Sequence, residues 1–224
     1  MTISLAGRCA RTGAMGGIIS SSSPAVASRC LWAGPQGVVL SQNVTDPVLG
    51  ILGQKLLEQG YGAPGVITQL QGARAHIDWR QLAVIDSGGH TQTFTGSQGL
   101  GITATAQGQD CVAAGNMLAN QGVLDAMVRG FERDPQTFLA DRLLAALQAG
   151  LDAGGEAGPV HSAGMAVYDH APWPCVDLRV DWSEATVMED LRALWRQYQP
   201  QMQAYITRAH NPKDAPSYGV PGDP

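Results

Sequence analysis

Residues 37–60, GVVLSQNVTDPVLGILGQKLLEQG, contain a strand, a helix start and a helix stop in one stretch. Gly37–Gln42 is a short apolar run of the kind found in strands. Asp46 followed by Pro47 predicts a helix N-cap with proline at the first helical position. Gly60 ends the helical pattern, and the apolar residues within that pattern recur at helical spacing: Val48, Leu49, Leu52, Leu56 and Leu57. The stretch therefore predicts a strand followed by an amphipathic helix.

Outside this stretch, strand patterns come in runs and helical patterns come in pairs. The predicted strands are 2–8, 14–21, 37–42, 81–86, 91–95, 101–106, 110–114, 162–168 and 175–181. The predicted helices are 47–59, 64–73, 121–133, 135–153 and 184–198. The order lacks the regular strand–helix alternation of a parallel sheet, so it favours an α+β protein in which antiparallel sheets are covered by helices.

The composition indicates one globular domain with few charges. The 224 residues are 44% hydrophobic and 15% charged, with 14 basic and 19 acidic residues and a net charge of −5. Lys55 and Lys213 are the two lysines, so no basic stripe is available to neutralise phosphates, and nucleic acid is not expected as a partner. No apolar run is long enough to span a membrane, and Met1–Gly17 lacks a signal-peptide pattern. We expect a cytoplasmic protein without a membrane partner.

The C-terminal segment differs in composition from the rest of the chain. We assign residues 1–207 to a single domain and residues 208–224 to a tail rich in proline and glycine. We expect this tail to pack on the body of the protein or on a neighbouring subunit. This expectation favours a homo-oligomer, with a dimer as the simplest form.

The cysteines and histidines do not form a recognisable metal or disulfide pattern. Cys9, Cys30, Cys111 and Cys175 are far apart, and they are interpreted as buried or half-buried free thiols. The five histidines are scattered and form no metal-binding motif. We therefore predict neither a metal nor a cofactor.

Several segments together resemble an uncharacterised bacterial and archaeal family, domain of unknown function 1028. One is Asn43–Gly50 with its flanking residues, and all of them run in the family's order over nearly the whole chain, as far as about residue 198. The other segments are Met1–Ser4, Thr12–Gly13, Trp32–Ala33, Arg80–Asp86, Phe94–Gly96, Gly115–Leu118, Leu139–Ala149 and Asp177–Asp181. The resemblance implies an N-terminal-nucleophile (Ntn) hydrolase-like fold, which is a four-layer αββα sandwich of two antiparallel sheets between helical layers.

The resemblance also implies a link to cell-wall metabolism, because some relatives carry an appended peptidoglycan-binding domain. This inference is by analogy. The chain departs from the family where relatives have an Arg/Gly-rich polar stretch before a late strand. Here the sequence at that place is Gly158–Ser162, GPVHS.

Thr2 is the candidate catalytic residue. In an Ntn hydrolase, the first residue after processing is Thr, Ser or Cys, and its own α-amine is the general base for its side chain. Removal of Met1 would expose Thr2, and an α-amine has an ordinary pKa of about 7.7–8.0, suited to accepting a proton near neutral pH. The alternative is that Thr2 is an ordinary β-branched residue of the first strand. The absence of lysine from the early strands argues against a proteasome-like site.

Three further polar residues are candidates for binding substrate or an oxyanion. Ser21 ends the second predicted strand and Gln42 ends the third, so both strand ends can lie near Thr2. The side-chain amide of Gln42 or Asn116 can donate to an oxyanion. Asn116 also suits a turn after Gly115, which is the interpretation that we favour, and Gln42 can equally cap the following loop.

The leading hypothesis is an Ntn-type amidohydrolase that acts on a small amide, a peptide or a cell-wall fragment. The alternative is a non-catalytic protein of the same fold that binds a ligand or a partner subunit. A free Thr2 amine at the mouth of a pocket favours the enzyme, whereas a buried Met1 favours the binding protein.

Overall fold

The computed structural model describes residues 1–220 of the 224-residue chain. These residues form an α+β protein with ten strands and six α-helices. The strands are β1 (Thr2–Arg8), β2 (Met15–Ser21), β3 (Leu31–Gly34), β4 (Gly37–Asn43), β5 (Arg80–Asp86), β6 (Thr91–Thr95), β7 (Ala104–Gly108), β8 (Cys111–Asn116), β9 (Ser162–Tyr168) and β10 (Val176–Val180). The helices are α1 (Ala27–Cys30), α2 (Pro47–Glu58), α3 (Ala63–Ala73), α4 (Val123–Glu132), α5 (Leu139–Asp152) and α6 (Val187–His210).

The strands form two antiparallel sheets, as the sequence predicted. The first has six strands in the order β10-β9-β2-β1-β8-β7, and the second has four in the order β3-β4-β5-β6. β1 pairs with β2 on one side and with β8 on the other. The first residues of the chain are therefore held in the middle of the larger sheet.

Buried apolar side chains form three main clusters that relate the sheets to the helices. One joins the six-stranded sheet to α4, α5 and α6, and another joins the four-stranded sheet to α2 and α3. A third receives side chains from both sheets, namely Ala6, Met15, Val112 and Ala114 from the larger sheet and Val38, Leu40, Ala83 and Ile85 from the smaller. Burial of these apolar surfaces is the main force that holds the layers together.

The start of α2 confirms the prediction from Asp46 and Pro47. The Asp46 carboxylate accepts a hydrogen bond from the Val48 N–H at 3.0 Å, and Pro47 is the first helical residue. The proline needs no partner for an N–H that it lacks. Asp46 also forms an ion pair with Arg74 at 2.9 Å, which links the start of α2 to the end of α3.

Some boundaries differ from the predicted ones. The predicted strand 101–106 is instead β7, which begins at Ala104, because Gly101 has a positive φ of 63° that turns the chain before the strand. β3 and the short helix α1 were not predicted, since four-residue elements carry too little periodicity to be recognised.

The last helix is longer than predicted and continues through Pro200 to His210. Proline in a helix interior removes one backbone hydrogen bond and normally ends the helix. Beyond Pro200, however, Met202 and Ile206 pack against the main core cluster. This tertiary packing offsets the cost of the proline.

The boundary proposed at residue 207 falls inside α6, so the start of the predicted tail is helical. After α6, the chain returns along the helix: the Arg208 guanidinium donates to the Pro216 carbonyl at 2.6 Å and stacks over the Tyr218 ring at 3.7 Å. The last four residues of the predicted tail, 221–224, lie outside the described residues. Within residues 1–220, no helix has the length and apolar character needed to cross a membrane.

Candidate functional site

Thr2 lies in a row of polar residues that crosses four strands of the larger sheet. Its direct cross-strand neighbours are Ser21 on β2 and Asn116 on β8. Ser162 on β9 is in turn paired with Ser21. Side chains directly opposite one another in antiparallel strands have Cβ atoms about 5 Å apart. The structure therefore brings three of the four predicted site residues together, and all three are buried.

The alternation of β1 explains why this row is polar. Thr2 and Ser4 project to one face of the strand, while Ile3 and Leu5 project to the other and join the core under α5. At the level of Thr2, the polar side chains on this face come from both sheets. Further along the same face, from Ala6 onward, the cluster shared by the two sheets is apolar.

The carbonyl group of Met1 lies against the Thr2 side chain. The Thr2 hydroxyl donates to the Met1 oxygen at 2.6 Å, and the Ser21 hydroxyl donates to the same oxygen at 2.5 Å. The two hydroxyl oxygens are 3.3 Å apart. A carbonyl oxygen thus accepts two hydroxyl donors directly beside the proposed nucleophile.

Gln42 belongs to a buried network one step away from Thr2. Its side-chain oxygen accepts from the Ser4 hydroxyl at 2.6 Å, and its amide nitrogen donates to the Gln81 oxygen at 2.9 Å. Gln81 donates in turn to the Gly115 carbonyl at 3.0 Å, and so it links the smaller sheet to β8 of the larger one. The described contacts of the Gln42 side chain are with these network residues and not with Thr2.

Asn116 is not a turn residue, so that interpretation was wrong. It is the last residue of β8, and its side-chain amide donates to the Gln81 oxygen at 3.5 Å. The residue with a positive φ is its neighbour Met117, at 49°. The turn begins one residue later than the sequence suggested because Thr2 of β1 holds Asn116 in the sheet.

Glu156 is a site residue that the sequence did not reveal. Its carboxylate accepts from the Ser20 hydroxyl at 3.3 Å and from the Ser22 N–H at 3.1 Å, so it binds the residues on either side of Ser21. Burial raises the pKa of the Glu156 carboxyl to about 7, although the α-amine of Met1 and the two hydrogen bonds oppose that rise. No sequence motif surrounds Glu156, which follows two glycines in a turn.

Replacing Glu156 with glutamine is expected to change how stability depends on pH. The folded-state pKa of about 7 lies above the ordinary 4.5, so the folded protein holds a proton that the unfolded chain releases between these values. Stability from this group is present below about pH 4.5 and is lost as the pH rises through 7. Relative to the parent, Glu156→Gln should therefore gain up to about 3 kcal/mol between pH 4.5 and pH 8.

Urea unfolding of parent and variant at both pH values measures this change. Glutamine retains the acceptor for the Ser22 N–H and can donate to the Ser20 hydroxyl, so the packing is kept. Glu58→Gln, on the exposed end of α2, is the matched control and should show no such gain. A difference between Glu156→Gln and the parent that is equal at both pH values would exclude a raised pKa.

The segment from Glu156 to Gly158 forms a wall beside Met1. A Cβ atom added to Gly158 would lie 2.5 Å from the Met1 Cε atom, so the Met1 side chain rests directly on this glycine. The Ala157 N–H donates to the Met117 carbonyl at 2.9 Å, and Glu156 forms a β-bridge with Leu118. These backbone bonds fix the wall to the turn that follows Asn116.

Residue 1 covers Thr2, which is only 6% exposed. Five surface pockets of about 200 to 500 Å³ in the described part of the chain are lined by other residues.

Other reactive groups do not converge on this site. All four cysteines are free and buried, as predicted. Burial raises the pKa of the thiols of Cys30, Cys111 and Cys175, which keeps them protonated and poorly nucleophilic. Among residues 1–220, no three His, Cys, Asp or Glu side chains are grouped so that they could hold a metal ion.

The fold and the site define an α+β protein whose two antiparallel sheets share a buried polar cluster at the start of the first strand. The chain belongs to the family of unknown function DUF1028, whose family model matches residues 2–191. The resemblance found in the sequence is thereby confirmed. No curated protein matches the chain.

Two solved structures are similar to the chain to different degrees. Protein SPO2555 from Silicibacter pomeroyi, of the same family, is 28% identical, with 88% of this chain and 89% of that chain covered and a TM-score of 0.82. Anbu from Hyphomicrobium sp. strain MC1 is 10% identical over 97% of this chain and 100% of that chain, with a TM-score of 0.42. The first similarity shows a shared fold, and the second is too low to support an inference.

Proposed function

We propose that this chain is an N-terminal-nucleophile amide hydrolase, with Thr2 as the nucleophile once residue 1 is removed. In this proposal the two sheets and their helices form the four-layer αββα sandwich of such enzymes. The cluster that both sheets share and the helices packed against each sheet support this arrangement. The polar site lies at one end of that shared cluster, at the first residues of β1.

The observation that carries the proposal is the position of the Met1 carbonyl. Its oxygen is 2.6 Å from the Thr2 hydroxyl and accepts a second hydrogen bond from Ser21. An acyl group esterified to the Thr2 hydroxyl would place its own carbonyl in this same region. Ser21 would then donate to the oxygen on which negative charge develops, as an oxyanion donor must.

The proposed reaction has two steps, acylation of Thr2 and hydrolysis of the resulting ester. The Thr2 α-amine accepts the proton of the Thr2 hydroxyl, whose oxygen bonds to the substrate carbonyl carbon. The amide C–N bond then breaks, and the leaving amine takes the proton. Water next adds to the resulting ester with the same amine as base, which releases a carboxylic acid and restores the Thr2 hydroxyl.

The substrates that we propose are a small amide, a peptide or a cell-wall fragment. Asn116 lies on the side of Thr2 opposite Ser21, where its amide can bind the substrate. Gln42 supports the site through Gln81 and is not proposed as an oxyanion donor, since its side chain contacts Ser4 and Gln81 and not Thr2.

A non-catalytic binding protein of the same fold is the second candidate, and it requires a chain that keeps residue 1. With residue 1 in place, Thr2 is buried and its amine is part of a peptide bond. A chain that keeps residue 1 lacks the general base and could act only through other surfaces.

The two candidates differ in whether the protein hydrolyses amides once Thr2 is the first residue. We expect protein that begins at Thr2 to hydrolyse members of a panel of fluorogenic amides, peptides and muropeptides. The same protein with a short Gly-Ser extension before Thr2 should be at least about a thousand-fold less active, because its amine can no longer accept the proton. Equal activity of the two forms would contradict the proposal.

A further inference from the structure

Residue 1 fills the space beside Thr2 in the way that the acyl half of a substrate would. Its carbonyl oxygen is held by the Thr2 and Ser21 hydroxyls. Its side chain ends on Gly158. Met1 is joined to the Thr2 nitrogen, whereas the acyl group of a substrate would be joined to the Thr2 side-chain oxygen. Because both groups are attached to Thr2, the space that Met1 occupies indicates what an acyl group there would contact.

The carboxylate of Glu156 is fixed at the same place. Ser20 and Ser22 bind it, and the residue between them, Ser21, binds the Met1 carbonyl. Glu156 is also two residues from Gly158, which touches the Met1 side chain. The wall formed by Glu156 to Gly158 therefore presents both a carboxylate and a small apolar surface to residue 1.

The charge around this wall favours a cation. The α-amine of Met1 and His161 both favour the ionised form of Glu156 and so oppose the effect of burial on its pKa. A buried carboxylate that lacked a cationic partner would be costly to ionise. A ligand with an acidic acyl group would be repelled at this position, whereas a ligand with an ammonium group would be attracted.

We propose that the substrate's acyl half is an aminoacyl group, with a free ammonium that Glu156 binds and an unbranched apolar side chain that lies on Gly158. This inference rests on the proposed function. It names the substrate class as peptides or amides with a free amino terminus, and it makes Glu156 and Gly158 the residues that determine specificity.

The first test compares methionine 4-nitroanilide with its N-acetyl derivative, using protein that begins at Thr2. We expect kcat/KM to be at least about ten-fold higher for the free amine, the loss that accompanies a missing charged hydrogen bond. Glu156→Gln should remove this preference by slowing only the free amine, whereas Glu58→Gln should keep it. Equal rates for both compounds, or a loss in Glu156→Gln that is equal for both, would overturn the inference.

The second test uses the side-chain wall and does not depend on Glu156. A Cβ atom at residue 158 would occupy the space of the Met1 Cε atom. We expect Gly158→Ala to lower kcat/KM for the methionine compound relative to alanine 4-nitroanilide by about ten-fold. An unchanged ratio would show that the substrate side chain does not lie on Gly158.

Binding distinguishes failure of this inference from failure of the proposed function. Calorimetry with L-methioninamide and its N-acetyl form needs no turnover. Binding of the free amine alone, lost in Glu156→Gln, without any hydrolysis, would leave the aminoacyl site standing and remove the enzyme. Hydrolysis without preference for the free amine would support the enzyme and rule out the aminoacyl site. If neither binding nor hydrolysis is observed, both proposals are wrong.

Discussion

Thr2→Ala is expected to lower kcat/KM for amide hydrolysis by about a thousand-fold or more. The substitution removes the hydroxyl that forms the acyl-enzyme but leaves the strand and its α-amine in place. Thr2→Ser keeps the hydroxyl and should retain most of the activity. Steady-state kinetics on the best substrate of the amide panel, with protein that begins at the substituted residue, measures both effects.

A matched control separates loss of chemistry from loss of structure. Thr105→Ala makes the same change on β7, where the side chain is exposed, and should leave activity unchanged. All three variants should unfold at similar urea concentrations. Activity of Thr2→Ala within a few-fold of the parent would show that another group performs the reaction.

Gln81→Leu is expected to reduce the free energy of unfolding by about 2–4 kcal/mol. Gln81 is fully buried and connects Gln42 of the smaller sheet to the Gly115 carbonyl of the larger one. Leucine has a similar size but leaves the Gln42 amide nitrogen without this acceptor and the Asn116 amide without its partner. The cost is therefore mainly that of unsatisfied buried polar groups.

Urea unfolding of the variant and of Gln92→Leu provides the comparison. Gln92 lies on the neighbouring strand β6 and is exposed, so the same substitution there should change stability by less than about 0.5 kcal/mol. A Gln81→Leu protein as stable as Gln92→Leu would show that the glutamine network does not hold the sheets together.

The sequence predicted the features that depend on local chemistry. The N-cap at Asp46, the helix α2 and the antiparallel character of the sheets follow from short-range pattern, and the structure confirms them. The proximity of Ser21 to Thr2 also follows, because a hairpin joins their two strands. A cytoplasmic location and a homo-oligomer stay predictions.

The sequence could not reveal groups that meet only through long-range pairing. Gln81 contacts Gln42 and Gly115, each more than thirty residues away. Glu156 reaches the Ser20–Ser22 segment across most of the chain. Neither Gln81 nor Glu156 lies in a recognisable sequence motif. Their roles depend on burial and strand register, which arise only when the sheets pack. The end predicted for the last helix at residue 198 was wrong for the same reason, because tertiary packing continues α6 to His210.

The most direct test is the mass of the N-terminal tryptic peptide of untagged, catalytically active protein. Trypsin cleaves after Arg8, so removal of residue 1 gives the peptide TISLAGR and its retention gives MTISLAGR. We predict TISLAGR, with a free amine, in an amount that matches the active fraction of the protein. Hydrolysis of amides by protein in which every chain still yields MTISLAGR would contradict the assignment of Thr2 as an N-terminal nucleophile.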